Sequence, residues 1–150
     1  MIKKPLLSDI QNIQTLLMPF IKDGIILKRD DNEIATNIRS YIIATQNNQI
    51  IGVGALHIYS TKLAEIRSLA VDEKYQKQGI GKKIIKALEN EAKELGLKQL
   101  LTLTYQKEFF EKLGFVEIPK VDVPEHKVWS DCIKCPHFPN CNEISLIKTI

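Results

Sequence analysis

A glycine-bearing loop is the segment of this sequence whose residue types and spacing best suit ligand binding. Residues 76–81 read Gln-Lys-Gln-Gly-Ile-Gly and lie between an apolar run ending at Val71 and an amphipathic segment. Glycines let the backbone turn sharply and approach a ligand, and the first-turn N–H groups of a helix have no partners within that helix. Because the helix dipole favours negative charge at that end, the spacing predicts a phosphate or pyrophosphate site.

Lysines around the loop add positive charge to the predicted anion site: Lys77, Lys82 and Lys83. The spacing is not that of the nucleoside triphosphate loop, G-x-x-x-x-G-K-[ST]. It also lacks the dinucleotide-binding pattern with an acidic residue about 20 positions further on. The alternative to a phosphate site is an ordinary turn at the start of a helix.

Arginine is rare in this chain. Of the 21 basic residues, only Arg29, Arg39 and Arg67 are arginines. A guanidinium forms two parallel hydrogen bonds to a carboxylate or phosphate, which the ammonium of lysine cannot do. The three arginines are therefore candidates for binding an anionic ligand, and their retention by chance is the alternative.

Hydrophobic periodicity predicts the elements that position these residues. Capping boxes that begin at Ser8 and Asp30 predict two N-terminal helices, and Gly96 is expected to end a third helix over 79–95. Gly52 and Gly54 are expected at bulges or points of close approach. A short helix is predicted over 108–113, irregular structure over 119–142, and strands over 41–45, 49–59, 63–71, 97–105, 115–118 and 144–150.

Length and composition set limits on the class of protein. The 150 residues predict a single domain over residues 1–150, and the ordinary hydrophobic content of 44% predicts a sizeable core. There is no apolar run of about 18 residues and no signal peptide, so we expect a cytoplasmic protein that does not bind membranes. A dispersed net charge of +3 argues against nucleic acid binding. The oligomeric state stays open, a homodimer included.

The loop and its flanking sequences together resemble the GNAT N-acetyltransferases. The pattern Gln-x-x-Gly-x-Gly follows the strand that ends in Ser-Leu-Ala-Val-Asp, and Phe-Phe-Glu-Lys-Leu-Gly-Phe follows later, at 109–115. The resemblance covers essentially the whole chain. Within the family, the chain looks most like the short, stand-alone N-acetylglutamate synthases of bacteria. It implies an α/β fold with a mixed, mostly antiparallel sheet flanked by helices. The segments that carry the narrower match are 24–29, 54–57, 64–71, 103–105, 108–115 and 128–132.

The resemblance implies acetyl-CoA as the cosubstrate. In the family, a strand pairs its backbone with the pantetheine arm, and the following loop holds the pyrophosphate. The implied strand residues are Leu69, Ala70 and Val71, and the implied loop residues are Gln76, Lys77, Gln78, Gly79, Ile80, Gly81 and Lys82.

Glu65 is the candidate general base, because an amine must lose a proton before it attacks a thioester and a carboxylate can take it, directly or through water. Period-two alternation predicts that Glu65, Arg67, Leu69 and Val71 lie on one face of their strand. A surface salt bridge between Glu65 and Arg67 is the alternative.

The resemblance also implies L-glutamate as the acceptor, in the first step of arginine biosynthesis. A dicarboxylate calls for two cationic partners, and we assign Arg29 and Arg67 to that role, with assistance from Lys28. Arg39 is expected in a helix, where its side chain could simply be exposed to solvent and bind no ligand. The open alternatives are another small amine, a protein N-terminus, or a module that binds acetyl-CoA without turnover.

The chain departs from the family at Phe110, where many members have a tyrosine that protonates the departing thiolate. Tyr105 is our candidate for this acid. Thr104, water or no dedicated group are the alternatives, because a thiolate is a fair leaving group. For Tyr105 itself, a packing role at the strand end is the alternative.

The three cysteines, Cys132, Cys135 and Cys141, lie close together beside His137. Three thiolates and an imidazole could bind zinc, and Cys-x-x-Cys could act as a redox pair. A second Cys-x-x-Cys pair is missing, so we expect structural thiols in a loop and assign no metal.

Overall fold

The structure is a computed structural model that describes residues 1–124, 127, 131 and 143–150. Within these residues, seven strands form one sheet in the order β1-β2-β3-β4-β5-β7-β6. Only the β4–β5 pair is parallel, which confirms the expected mixed, mostly antiparallel sheet. The elements are β1 (Ile2–Lys3), α1 (Ile10–Lys22), α2 (Asp31–Thr36), β2 (Tyr41–Gln46), β3 (Gln49–Ile58), β4 (Leu63–Val71), α3 (Ile80–Leu95), β5 (Gln99–Thr104), α4 (Lys107–Glu111), β6 (Val116–Ile118) and β7 (Ile144–Thr149).

Helices cover both faces of the sheet, and each face has its own apolar core. Strand β2 shows the division, because its side chains alternate between the two sides. Tyr41 and Ile43 pack with α1 and α2. Ile42 and Ala44 pack with α3 and Phe110 of α4. In the described part of the chain, no helix combines the length and apolar character that a membrane crossing requires.

The caps predicted from sequence agree with the structure at two of three helix ends. The Asp30 carboxylate accepts the N–H of Glu33 at 2.8 Å, and Gly96 ends α3 with a φ of 87°. The predicted Ser8 cap is wrong. A 3₁₀ turn precedes α1, and it is the Asp9 carboxylate that accepts a backbone N–H, from Leu6. Strand β1 was not predicted, because two residues are too short to show a period.

Two glycines allow α3 to pack closely against β3. A Cβ atom at Gly52 would lie 2.8 Å from Cδ1 of Ile84, and one at Gly54 would lie 2.8 Å from Cγ2 of the same residue. Close approach is therefore confirmed at both glycines, and the bulge expectation is also confirmed at Gly54, where the register of β3 with β4 shifts. This contact fixes the position of α3, the helix that begins within the glycine-bearing loop of residues 76–81, hereafter the ligand loop.

We predict that Gly54→Ala lowers the free energy of unfolding by about 1–3 kcal/mol, since overpacking forces neighbours to shift. Gly52→Ala should also destabilise the protein, and combining each substitution with Ile84→Val distinguishes the two contacts. Ile84→Val deletes Cδ1 and keeps Cγ2, so it should reduce the destabilisation caused by Gly52→Ala but not that caused by Gly54→Ala. Urea unfolding of the single and double variants measures this. Equal relief of both would contradict the packing geometry.

Candidate active site

The parallel strands β4 and β5 separate and open a cavity. Their pairing ends at Glu65 and Leu101, although both strands continue. Beyond these pairs, the Thr102 hydroxyl donates to the carbonyl of Ile66 at 3.2 Å. A cavity of about 590 Å³ lies here, lined by both strands and by the ligand loop. Among the described residues, the β5-facing edge of β4 beyond Glu65 thus has no strand partner and could pair with an extended ligand.

A bulge in β4 divides the residues that line the cavity. Arg67 pairs with Ala55 and Ala70 with Val53, so β4 has one more residue than β3 here. Ser68 lies at the bulge with a φ of 56°. The extra residue shifts the alternation by one position.

The prediction that Glu65, Arg67, Leu69 and Val71 share one face is therefore wrong. Before the bulge, Ala64 and Ile66 belong to the core on the α3 side, so Glu65 and Arg67 point to the α1 side. After the bulge, Ala70 packs on the α1 side and Leu69 on the α3 side. All four residues still line the cavity.

The ligand loop exposes the first turn of α3 to the cavity. Lys77 and Gly79 have positive φ values of 64° and 81°, and no side chain caps the helix N-terminus. The Gln76 amide donates to the carbonyl of Val71 at 3.0 Å and so shapes the loop. These features fit an anion bound by backbone N–H groups. The predicted loop residues that line the cavity are Gln76, Lys77, Gly79, Ile80, Gly81 and Lys82, whereas Gln78 is exposed and lies outside it.

Glu65 is buried in the cavity wall, and both of its carboxylate oxygens have partners. The hydroxyl of Tyr59 donates to Oε1 at 2.7 Å, and Nζ of Lys127 lies 2.8 Å from Oε2. Each oxygen keeps a lone pair for a further donor. Burial and the Glu65 carboxylate raise the pKa of the Tyr59 phenol well above its usual value, so the phenol remains a donor. The alternative pairing of Glu65 with Arg67 is not among the ion pairs of the described residues.

Arg29 and Arg67, hereafter the arginine pair, meet at one carboxylate. Arg29 donates from both terminal nitrogens to Asp131 at 3.2 and 3.3 Å, and Arg67 donates to Oδ2 at 3.1 Å. Within the described residues, the buried Nε of Arg29 has no hydrogen-bond partner. Lys28 is exposed and does not line the cavity, so the structure does not bring it to this site. Arg39 is exposed on a 3₁₀ turn.

We call Arg29, Glu65, Arg67, Lys127 and Asp131 the charged cluster. Burial alone would lower the pKa of Lys127, but the two carboxylates outweigh it and hold that pKa above its usual value. Burial would raise the pKa of Asp131, but Lys127 and Arg29 hold it well below its usual range. Counted as two arginines and one lysine against two carboxylates, the cluster has a formal charge of +1. Glu33 balances it from outside the cavity, 2.7 Å from Arg29.

Tyr105 and Thr104, the candidate acids, both line the cavity. Tyr105 is 40% exposed. The Thr104 oxygen accepts the backbone N–H of Gln106 at 2.9 Å. Phe110 is buried edge-to-face between Phe109 and Phe115, so this position contributes packing. The role of Tyr105 stays a prediction.

Sequence reasoning missed the residues that hold the predicted ones in place. Tyr59, Lys127 and Asp131 contact Glu65 or the arginine pair, yet we assigned none of them a role. The four-residue spacing of Lys127 and Asp131 was the available signal, since such residues share a helix face. The predicted thiol cluster at Cys132, Cys135 and Cys141, with His137, lies outside the described residues.

Comparison with known proteins places this geometry in context. The model of the acetyltransferase (GNAT) domain matches residues 37–117. An N-acetyltransferase of Chlorobaculum tepidum, described as uncharacterized, is 38% identical over 96% of this chain and 92% of its own length. An amino-acid acetyltransferase of Pasteurella multocida is 31% identical over 80% of this chain.

A solved structure agrees with the fold over almost the whole chain. The N-acetylglutamate synthase from Neisseria gonorrhoeae, complexed with coenzyme A and N-acetyl-glutamate, matches 99% of this chain with a TM-score of 0.90 and 23% identity. At that identity the likeness shows the fold alone. This chain spans 34% of that synthase and 28% of the Pasteurella protein.

We predict that Asp131 makes stability depend on pH. Folding lowers the pKa of the Asp131 carboxyl from its usual value of 3.8. The contribution of this carboxylate to the free energy of unfolding is therefore complete above about pH 4 and is lost as the pH falls towards the folded pKa. The difference in free energy of unfolding between wild type and Asp131→Asn should be constant from pH 7 to pH 5 and shrink below pH 4. Denaturant titrations measure it. The exposed Asp122→Asn is the control, and a difference that grows in acid would contradict the prediction.

Proposed function

This chain belongs to the GNAT family of acetyltransferases, and we propose that it transfers acetyl from acetyl-CoA to the α-amine of L-glutamate, the first step of arginine biosynthesis. The observation that carries the proposal is one cavity that joins an uncapped helix N-terminus to a buried carboxylate, the buried Arg29 and the partly buried Arg67. The helix N-terminus suits an anionic donor, and the carboxylate with the two arginines suits an amine that carries a carboxylate. The amino-acid acetyltransferases among its relatives support this choice.

Acetyl-CoA is the cosubstrate of the family, and the loop and strand fit its two parts. The N–H groups at the start of α3, with Lys77 and Lys82, would hold the pyrophosphate. The unpaired edge of β4 at Leu69 and Val71 would hold the pantetheine arm by backbone hydrogen bonds.

The acceptor amine would attack the thioester carbonyl carbon directly, without an acetylated enzyme. Glu65 takes the proton that the amine must lose, directly or through water. Backbone N–H groups of β4 stabilise the negative charge that develops on the carbonyl oxygen. As the new C–N bond forms, the C–S bond breaks, and the sulfur leaves with the bonding electrons. Tyr105 or water then protonates the thiolate.

Release of CoA by the purified protein tests the proposal. Acetyl-CoA is supplied with glutamate, glutamine, aspartate or no amino acid, and free thiol is measured. We expect turnover that is selective for glutamate. Turnover with another amine would keep the chemistry and overturn the acceptor. Binding of acetyl-CoA without any turnover would favour a protein substrate or a sensor.

We predict that Glu65→Gln lowers kcat by roughly 10²- to 10⁴-fold and leaves the KM for acetyl-CoA unchanged, since it removes the proton acceptor and not the donor site. The amide is nearly the same size as the carboxylate. Tyr59→Phe is the control, because it deletes the hydrogen bond to Oε1 and keeps the carboxylate, so its decrease in kcat should be smaller. Equal decreases would indicate that Glu65 acts through packing.

A further inference from the structure

We propose that Asp131 controls acceptor specificity, because its carboxylate occupies the arginine pair until a carboxylate of the acceptor replaces it. The inference rests on the proposed function in one respect, that the acceptor carries carboxylates. Asp131 takes two hydrogen bonds from Arg29 and one from Arg67. These are the same donors that a substrate carboxylate would need.

The hydrogen-bond donors of the arginine pair make this occupancy selective. With Asp131 in place, both terminal nitrogens of Arg29 and one of Arg67 already donate to its carboxylate. Glutamate brings a second carboxylate that can compete for these donors, whereas glutamine brings a neutral amide, which is a weaker acceptor. The second carboxylate of glutamate therefore binds the arginine pair only when it takes the place of Asp131.

The surroundings of Asp131 make the exchange feasible. Nζ of Lys127 lies 2.9 Å from Oδ2 of Asp131, and the backbone N–H of Asp131 donates to the carbonyl of Lys127 at 3.0 Å. When Asp131 leaves the arginine pair, it can keep Lys127 as its partner and is not left buried without a counter-ion.

Asp131→Asn tests the exchange, because it removes the competing charge at nearly constant volume. If the arginine pair is open for about a tenth of the time in the wild type, the variant should lower the KM for glutamate roughly tenfold. The KM for glutamine should fall less, and the KM for acetyl-CoA should stay the same. An unchanged or raised KM for glutamate would overturn the proposal, since Asp131 would then only hold the arginines in position.

Glutarate separates this proposal from the proposed function. It carries both carboxylates of glutamate and no amine, so calorimetry reports its binding without catalysis. Tighter binding of glutarate by Asp131→Asn, in a protein that does not acetylate glutamate, would support the exchange and overturn the proposed acceptor. Equal binding by the two proteins would overturn the exchange even where glutamate is turned over.

Two further variants serve as controls. Asp131→Glu keeps the charge and should keep the weaker, wild-type affinity for glutarate. Glu33→Gln removes a negative charge from the other side of Arg29, outside the cavity. If it strengthened glutarate binding as much as Asp131→Asn, the cause would be long-range charge, and the exchange would be overturned.

A measurement on the wild type covers the case in which Asp131→Asn does not fold. With ¹³C-labelled aspartate, the Asp131 carboxyl resonance is the one missing from the Asp131→Glu spectrum. We expect this resonance to shift when glutarate is added. A resonance that does not move at saturating glutarate would overturn the proposal.

Discussion

The separation of β4 from β5 after Glu65 is the constraint on which the rest of the site depends. A parallel pair normally continues its hydrogen bonds along both strands, and here it stops after three residue pairs. The unpaired edge and the cavity both result from this divergence. The packing of α3 against Gly52 and Gly54 then brings the helix N-terminus to the same opening. A cavity with backbone donors along one wall and at one helix end suits a long, anionic, flexible cosubstrate.

The bulge at Ser68 gives the two halves of β4 different roles. Without it, strict alternation would place Glu65 and Leu69 on one face. With it, Glu65 and Arg67 lie on the α1 side of the sheet and Leu69 on the α3 side. In the proposed reaction the first two serve the acceptor, and the backbone beyond Ser68 serves the donor. A non-glycine residue at positive φ is held only where the surrounding structure fixes it. Here the pairing of β4 with β3 on both sides of the bulge supplies that restraint.

Charge balance governs the acceptor side of the cavity. Buried charges are tolerated when they are paired, and removing one partner leaves the other exposed to the full cost of desolvation. Lys127 links the two carboxylates, since its Nζ lies 2.8 Å from Glu65 and 2.9 Å from Asp131. In the proposed exchange, acceptors differ in whether they bring a second carboxylate that can replace Asp131 on the arginine pair.

The sequence by itself determined six of the seven strands, the helix α3 and the ligand loop, and it singled out Arg29 and Arg67 as candidates. These follow from local signals, because apolar periodicity, glycine conformation and side-chain chemistry act within a few residues. Tertiary structure alone decided the bulge, since register is set by pairing with β3. It also decided the position of Asp131, which is 64 and 102 residues from the arginines it joins. A contact across that separation arises from the path of the chain, which no local pattern encodes.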